Sequence, residues 1–174
     1  MYDEIRCEYP LPETGYRVLP GHTFQTKDLE CLLDRYTITV EGVLVLHREV
    51  WDPVPEAERP NYGTPLWEKP FGKWIGSFKA VAAGDEEILH HGDVVFYDAF
   101  RVRGDDGNRV WLEYRARFTE GTLSRIEVEN VHELPPTKPV ELGGQIFEAS
   151  DSGLGFDVVR LGDEAEVERD EEHS

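Results

Sequence analysis

The segment Val110-Trp111-Leu112-Glu113-Tyr114-Arg115-Ala116-Arg117-Phe118-Thr119 decides the fold. Val110, Leu112, Tyr114, Ala116 and Phe118 occupy alternate positions, with Trp111, Glu113, Arg115, Arg117 and Thr119 between them. Successive side chains of an extended chain point to opposite faces, so this alternation belongs to a strand with one face on a core and one in water. The stretch before it repeats the pattern. Val94, Phe96, Asp98, Phe100 and Val102 alternate, and Gly104-Asp105-Asp106-Gly107-Asn108 supplies turn-forming residues, which predicts an antiparallel hairpin. Glu120-Gly121 then turns the chain into Thr122 to Val131, where Leu123 and Ile126 fall on opposite faces and imply a bulge near Ser124 or a twist between two packing environments.

Working upstream, Tyr36 to Val40, the turn Glu41-Gly42 and Val43 to Trp51 read as a second hairpin, and a further strand is expected over Lys73 to Ala82. Between these, Asp52 to Phe71 contains Pro53, Pro55, Pro60, Pro65 and Pro70, which excludes a central strand or a long helix. A loop of about twenty residues in a compact domain is unusual and points to function or mobility. One short helix of one or two turns is expected across Lys27 to Asp34. The sum is mainly β: an antiparallel β-sandwich or open barrel with one short helix.

The chain has 174 residues with 36 acidic and 18 basic side chains, for a net charge of −18. That length fits one domain able to bury a core without metal or disulfide staples. From Glu133 to Ser174, twelve acids stand against Lys138, Arg160 and Arg169, and Pro135-Pro136, Pro139 and Gly143-Gly144 interrupt the chain. The expected organisation is a β-rich domain over residues 1–134, a Pro/Gly-containing extension over 135–162 and a disordered acidic tail over 163–174. Within the extension, Gln145 to Phe147 and Gly155 to Leu161 retain apolar residues suited to short strands or a docking arm.

No apolar run approaches the ~20 residues that span a bilayer, and the acidic N-terminus carries no secretory pattern, so a cytoplasmic protein is expected. Cys7 and Cys31 match no zinc or C-x-x-C spacing and read as reduced apolar residues, although a bridge between them stays open. P-loop, Gly-x-Gly-x-x-Gly, His-Glu-x-x-His and Gly-x-Ser-x-Gly motifs are absent, and no cofactor is implied.

Three sets of side chains are candidates for a site. Trp51, Tyr62, Trp67, Phe71 and Trp74 flank the proline-rich loop, and a tryptophan there is either pinned into the edge of the core or used as a contact anchor. Trp111, Arg115 and Arg117 form a possible stacking or anion platform, against the alternative that the arginines pair with Glu113, Glu127 and Glu129 along a solvated face. His90, His91 and Asp93 are the nearest approach to a metal cluster. Adjacent histidines on a strand point apart, so both grip one ion only if the backbone turns at Gly92. Direct DNA binding is opposed by the charge.

Arg6-Cys7-Glu8-Tyr9-Pro10-Leu11-Pro12, Phe24-Gln25-Thr26-Lys27-Asp28-Leu29 and Leu33-Asp34-Arg35-Tyr36-Thr37-Ile38-Thr39, followed by His91-Gly92-Asp93-Val94-Val95-Phe96-Tyr97 and Trp111 to Phe118, carry a resemblance. In these segments the chain resembles a family of small bacterial, prophage and phage proteins, over roughly residues 1–130 and not beyond Pro135. The resemblance implies a phage or prophage setting and brings no activity, cofactor or catalytic residue with it.

The leading expectation is therefore a non-enzymatic accessory protein that binds a host or phage protein. Two others stand beside it. An acidic inhibitor or nucleic-acid mimic of a basic host enzyme predicts a contiguous strip of carboxylates. A metal- or ligand-binding barrel predicts a pocket around His90 and His91. An unpaired edge strand also permits a homodimer.

Overall fold

Alternation at Val110–Phe118 becomes an eleven-residue strand whose five apolar positions are all buried, four of them, Val110, Leu112, Ala116 and Phe118, completely. The computed structural model describes residues 1–102, 108–135, 140–142, 145–147 and 157–160. In chain order its strands are β1 (Asp3–Cys7), β2 (Tyr16–Val18), β3 (Thr23–Thr26), β4 (Arg35–Ile38), β5 (Leu44–Pro53), β6 (Phe78–Glu87), β7 (Gly92–Val102), β8 (Arg109–Thr119), β9 (Thr122–Leu134), β10 (Val140–Leu142), β11 (Gln145–Phe147) and β12 (Asp157–Arg160). The protein is mainly β, as its periodicity requires, and no helix longer than a single turn occurs among the described residues.

Ten strands make one open sheet. β9, β8 and β7 form an antiparallel meander, and the far edge of β7 is shared by β3 and β12. From β3 the order continues through β1, β4, β5 and β6, with β1–β4 and β7–β12 the two parallel pairs. The sheet curls until the isolated bridge Val43↔Thr122 fastens it at one corner, where Leu123 N donates to Gly42 O at 2.6 Å. Gly121 makes this approach possible: its φ is 78°, and a Cβ there would collide with the Ile88 carbonyl.

The core lies inside the curl. Ile5, Phe24, Tyr36, Ile38, Leu44 and Leu46 line one wall, and Val94, Phe96, Phe100, Leu112, Tyr114 and Phe118 the other. Phe24 meets the Tyr114 ring edge-on at 5.8 Å, and Phe96 stacks on Tyr114 at 5.6 Å. Fully burying such a side chain contributes roughly 1.5–3 kcal/mol. Val158 of β12 is also completely buried, so a strand from the expected Gly155 to Leu161 segment joins the same sheet. β9 carries the expected bulge at Ser124, which is skipped between the pairs Arg117↔Arg125 and Phe118↔Leu123. The turn at 103–107 and the acidic tail at 163–174, including its expected disorder, lie outside the described residues.

Two expectations are corrected. Lys27 to Asp34 is not a helix. The carboxylate of Asp3, completely buried, accepts from the backbone N–H groups of Cys31 at 2.6 Å, Leu32 at 2.8 Å and Asp34 at 3.1 Å. Those donors bend around the anion, with Cys31 and Leu33 in the left-handed region at φ 55° and 66°. The strand expected over Lys73 to Ala82 starts later, at Phe78, because Gly72–Trp74 forms a single 3-10 turn. Cys7 and Cys31 are free thiols that donate to the Tyr9 and Lys27 carbonyls, each at 3.3 Å.

Candidate functional site: an aromatic arm

Beyond Leu46 the inward positions of β5 are Arg48, Val50 and Asp52, and none of them is buried. Its partner β6 is exposed along nearly its whole length. The pair thus leaves the core as a two-stranded ribbon. Cross-strand partners share a face. Trp51 opposite Ala80, Pro53 opposite Phe78 and Glu49 opposite Ala82 form one face, and Val50 opposite Val81 and Asp52 opposite Lys79 the other. A register shift at Arg48/Glu49 leaves Ala83 unpaired and bends the ribbon at its root.

Polar contacts brace that root. Asp85 only accepts, so His47 donates from Nδ1 to it at 2.8 Å, and Nε2 then accepts from the Thr37 hydroxyl at 2.7 Å. On the opposite face Arg48 Nε donates to Glu86 at 2.8 Å, which holds the guanidinium above its ordinary pKa. Arg35 pairs with Glu49. The ribbon is thereby tied across β4, β5 and β6 where apolar packing stops.

Val54 N donates to Ser77 O at 2.8 Å and closes the segment between the strands. Pro55, Pro60, Pro65 and Pro70 exclude a regular strand or a long helix from this segment, and the backbone instead folds into successive turns, with Thr64 N on Asn61 O, Trp67 N on Thr64 O, and Gly72 N on Lys69 O. Asn61 is buried and its amide donates to the Gly72 carbonyl, while Arg59 reaches Val54 O at 2.9 Å and Lys73 O at 2.6 Å. A Cβ at Gly72 would strike the Leu66 carbonyl, so glycine is required there. Trp67 is the buried anchor of this lobe, met edge-on by Tyr62 at 5.2 Å and by the Lys73 ammonium at 5.8 Å.

Around that anchor the other large side chains face water. Trp51 is 67% exposed and Trp74 73%, with Phe71, Phe78 and Tyr62 more than half exposed. Pro53, Pro70, Trp74 and Phe78 line a cleft of about 380 Å³ whose rim carries Glu56, Arg59 and Lys73. No family model, curated protein or solved structure matches the chain.

The remaining candidates lie elsewhere. Trp111 stacks on Tyr97 at 5.0 Å on the outer face of β8. Arg115 makes a two-pronged contact with Glu129 at 2.7 and 2.6 Å, and Arg117 pairs with Asp93 at 3.2 Å. The mutual bond raises the Arg115 pKa and lowers that of Glu129. His90 packs edge-on to Phe118 at 6.0 Å, whereas His91 is exposed and Asp93 faces the arginines. Among the described residues no three His, Cys, Asp or Glu side chains are grouped to hold a metal ion. Trp51, Tyr62, Trp67 and Trp74 all lie on this arm, as does Phe78, which the sequence does not single out because its neighbours Ala80, Val81 and Ala82 resemble core.

Proposed function

We propose that this chain is a non-enzymatic protein-binding module of phage or prophage type, and that the arm formed by β5, β6 and the proline-rich lobe contacts a host or phage protein. The observation that carries this reading is the outward exposure of Trp51 and Trp74 on a segment folded by its own hydrogen bonds. A tryptophan buries roughly 150–250 Å² when covered, and contiguous exposed apolar surface marks interaction sites. Aromatic anchors of this kind dominate binding energy at protein interfaces.

Charge placement favours this over an acidic mimic. Asp93, Glu127 and Glu129 on the outer face of β7–β9 each lie beside a guanidinium, so those carboxylates do not form a bare anionic strip. No helix among the described residues is long and apolar enough to cross a membrane.

The test is affinity enrichment from a bacterial host lysate with the wild-type chain and with Trp51→Ser/Trp74→Ser. A partner retained by wild type and lost by the variant supports the proposal. No enrichment with either, or equal enrichment with both, overturns it.

A further inference from the structure

Arg6, Arg35, Arg48, Arg115, Arg117 and Arg125 each pair with a carboxylate. Arg59 does not. It donates instead to two backbone carbonyls, Val54 O at 2.9 Å and Lys73 O at 2.6 Å, contacts that hold the guanidinium in place without neutralising it. Lys73 is a second cation of this kind: its ammonium stands 5.8 Å from the Trp67 ring, and no carboxylate among the described residues pairs with it. Both belong to the arm, where residues 52–79 hold four acids and four bases, so this lobe is neutral in a chain whose net charge is −18.

The two cations border the cleft of about 380 Å³ between Pro53, Pro70, Trp74 and Phe78, with Glu56 as its one carboxylate. Its rings are open to a ligand, Trp74 being 73% and Phe78 54% exposed. At physiological ionic strength charges act over about 8 Å, so the cations at this rim outweigh acids elsewhere on the sheet. The combination fits a peptide that presents an apolar side chain between carboxylates. A nucleic-acid strand, charged along its whole length, meets Glu56 in the cleft and the acidic remainder of the chain around it.

Resting on the reading that the arm contacts a protein, we infer that this cleft receives an acidic segment of that partner, with a bulky apolar side chain against Trp74 and Phe78 and the flanking carboxylates at Arg59 and Lys73. The experiment is a ¹⁵N NMR titration of the full chain with acetylated, amidated Asp-Phe-Asp-Leu-Asp and with versions in which every Asp is Asn or Lys. Saturable shifts at the amides of Trp74, Ser77 and Phe78 are expected, with affinity falling in the order Asp, Asn, Lys. Lys73→Glu is expected to weaken the Asp peptide about fivefold or more and to strengthen the Lys peptide, because it turns an exposed attraction into a repulsion. The Lys73 carbonyl that Arg59 uses survives this change, and the variant's amide spectrum checks its folding.

Equal affinity for the three peptides would overturn the inference, and its loss in Trp74→Ser would still leave the arm a contact surface. No saturable shift with any peptide, or unchanged affinity in the folded Lys73→Glu variant, would overturn it as well; the reading of the arm falls with it only if enrichment from the lysate is also independent of Trp51 and Trp74. Tighter binding of hexathymidylate would assign the cleft to nucleic acid, and shifts at the same amides on diluting the chain alone would assign it to a second copy, each against the inference.

Discussion

Trp51 and Phe78 project from the same face of the β5–β6 ribbon, Trp51 opposite Ala80 and Phe78 opposite Pro53. Small side chains across the ribbon leave both rings 67% and 54% exposed. The arrangement separates the protein into a curled open sheet stabilised by its buried core and an arm stabilised by hydrogen bonds and one buried tryptophan. These two parts respond differently to substitution.

Trp67→Ala and Trp74→Ala are expected to diverge. Trp67 is the buried anchor of the lobe, so its loss should raise amide exchange across Val54–Ser77. Trp74→Ala removes an exposed ring and should stay within about 0.5 kcal/mol of wild type. Hydrogen exchange resolved by residue, with thermal unfolding alongside, distinguishes the two.

Asp3→Ala should destabilise the whole domain by about 2 kcal/mol or more, because three backbone donors lose a buried anionic acceptor. Urea unfolding measures it. The exposed Asp52→Ala is the control, with little change expected.

His47→Ala should loosen the root of the arm and leave the core intact. It removes the contacts to Thr37 and Asp85 together. Faster exchange within Phe78–Glu87 with an unchanged main unfolding transition is the expected result.

Alkaline pH should weaken the fold. The Cys7 thiol is pushed up from 9.0 to about 12 and the Tyr36 phenol from 10.0 to about 12, both chiefly by burial. Unfolded chains release these protons first, so the stabilisation is complete below pH 9 and is lost as pH rises through the folded-state values. Cys7→Ala and Tyr36→Phe should each flatten the fall in unfolding free energy between pH 9 and 12.

Legibility tracked how local the physics was. β8 could be read directly because every inward position is apolar and meets the core. Asp98 interrupts the same pattern in β7, and the reason is remote: it lies 3.4 Å from the buried imidazole of His22, just ahead of β3. Lys27 to Asp34 carries no local sign of its non-helical fold, because that fold is dictated by Asp3, a distant residue in sequence. Ala80, Val81 and Ala82 suggest a core strand, and only the sheet order reveals that β6 is an edge strand running past the core. The aromatics of the arm were visible as candidates, but which of them is anchor and which faces water depends on turns that no periodicity encodes.

The central claim is that the arm is the contact surface. Its most direct measurement is photocrosslinking in cells, with a photoreactive residue placed at Trp74 and, as a control, at the exposed Asn130 of β9. A discrete protein adduct from position 74 that is absent from position 130 is the predicted result; equal adducts from both positions, or none from position 74, would contradict it.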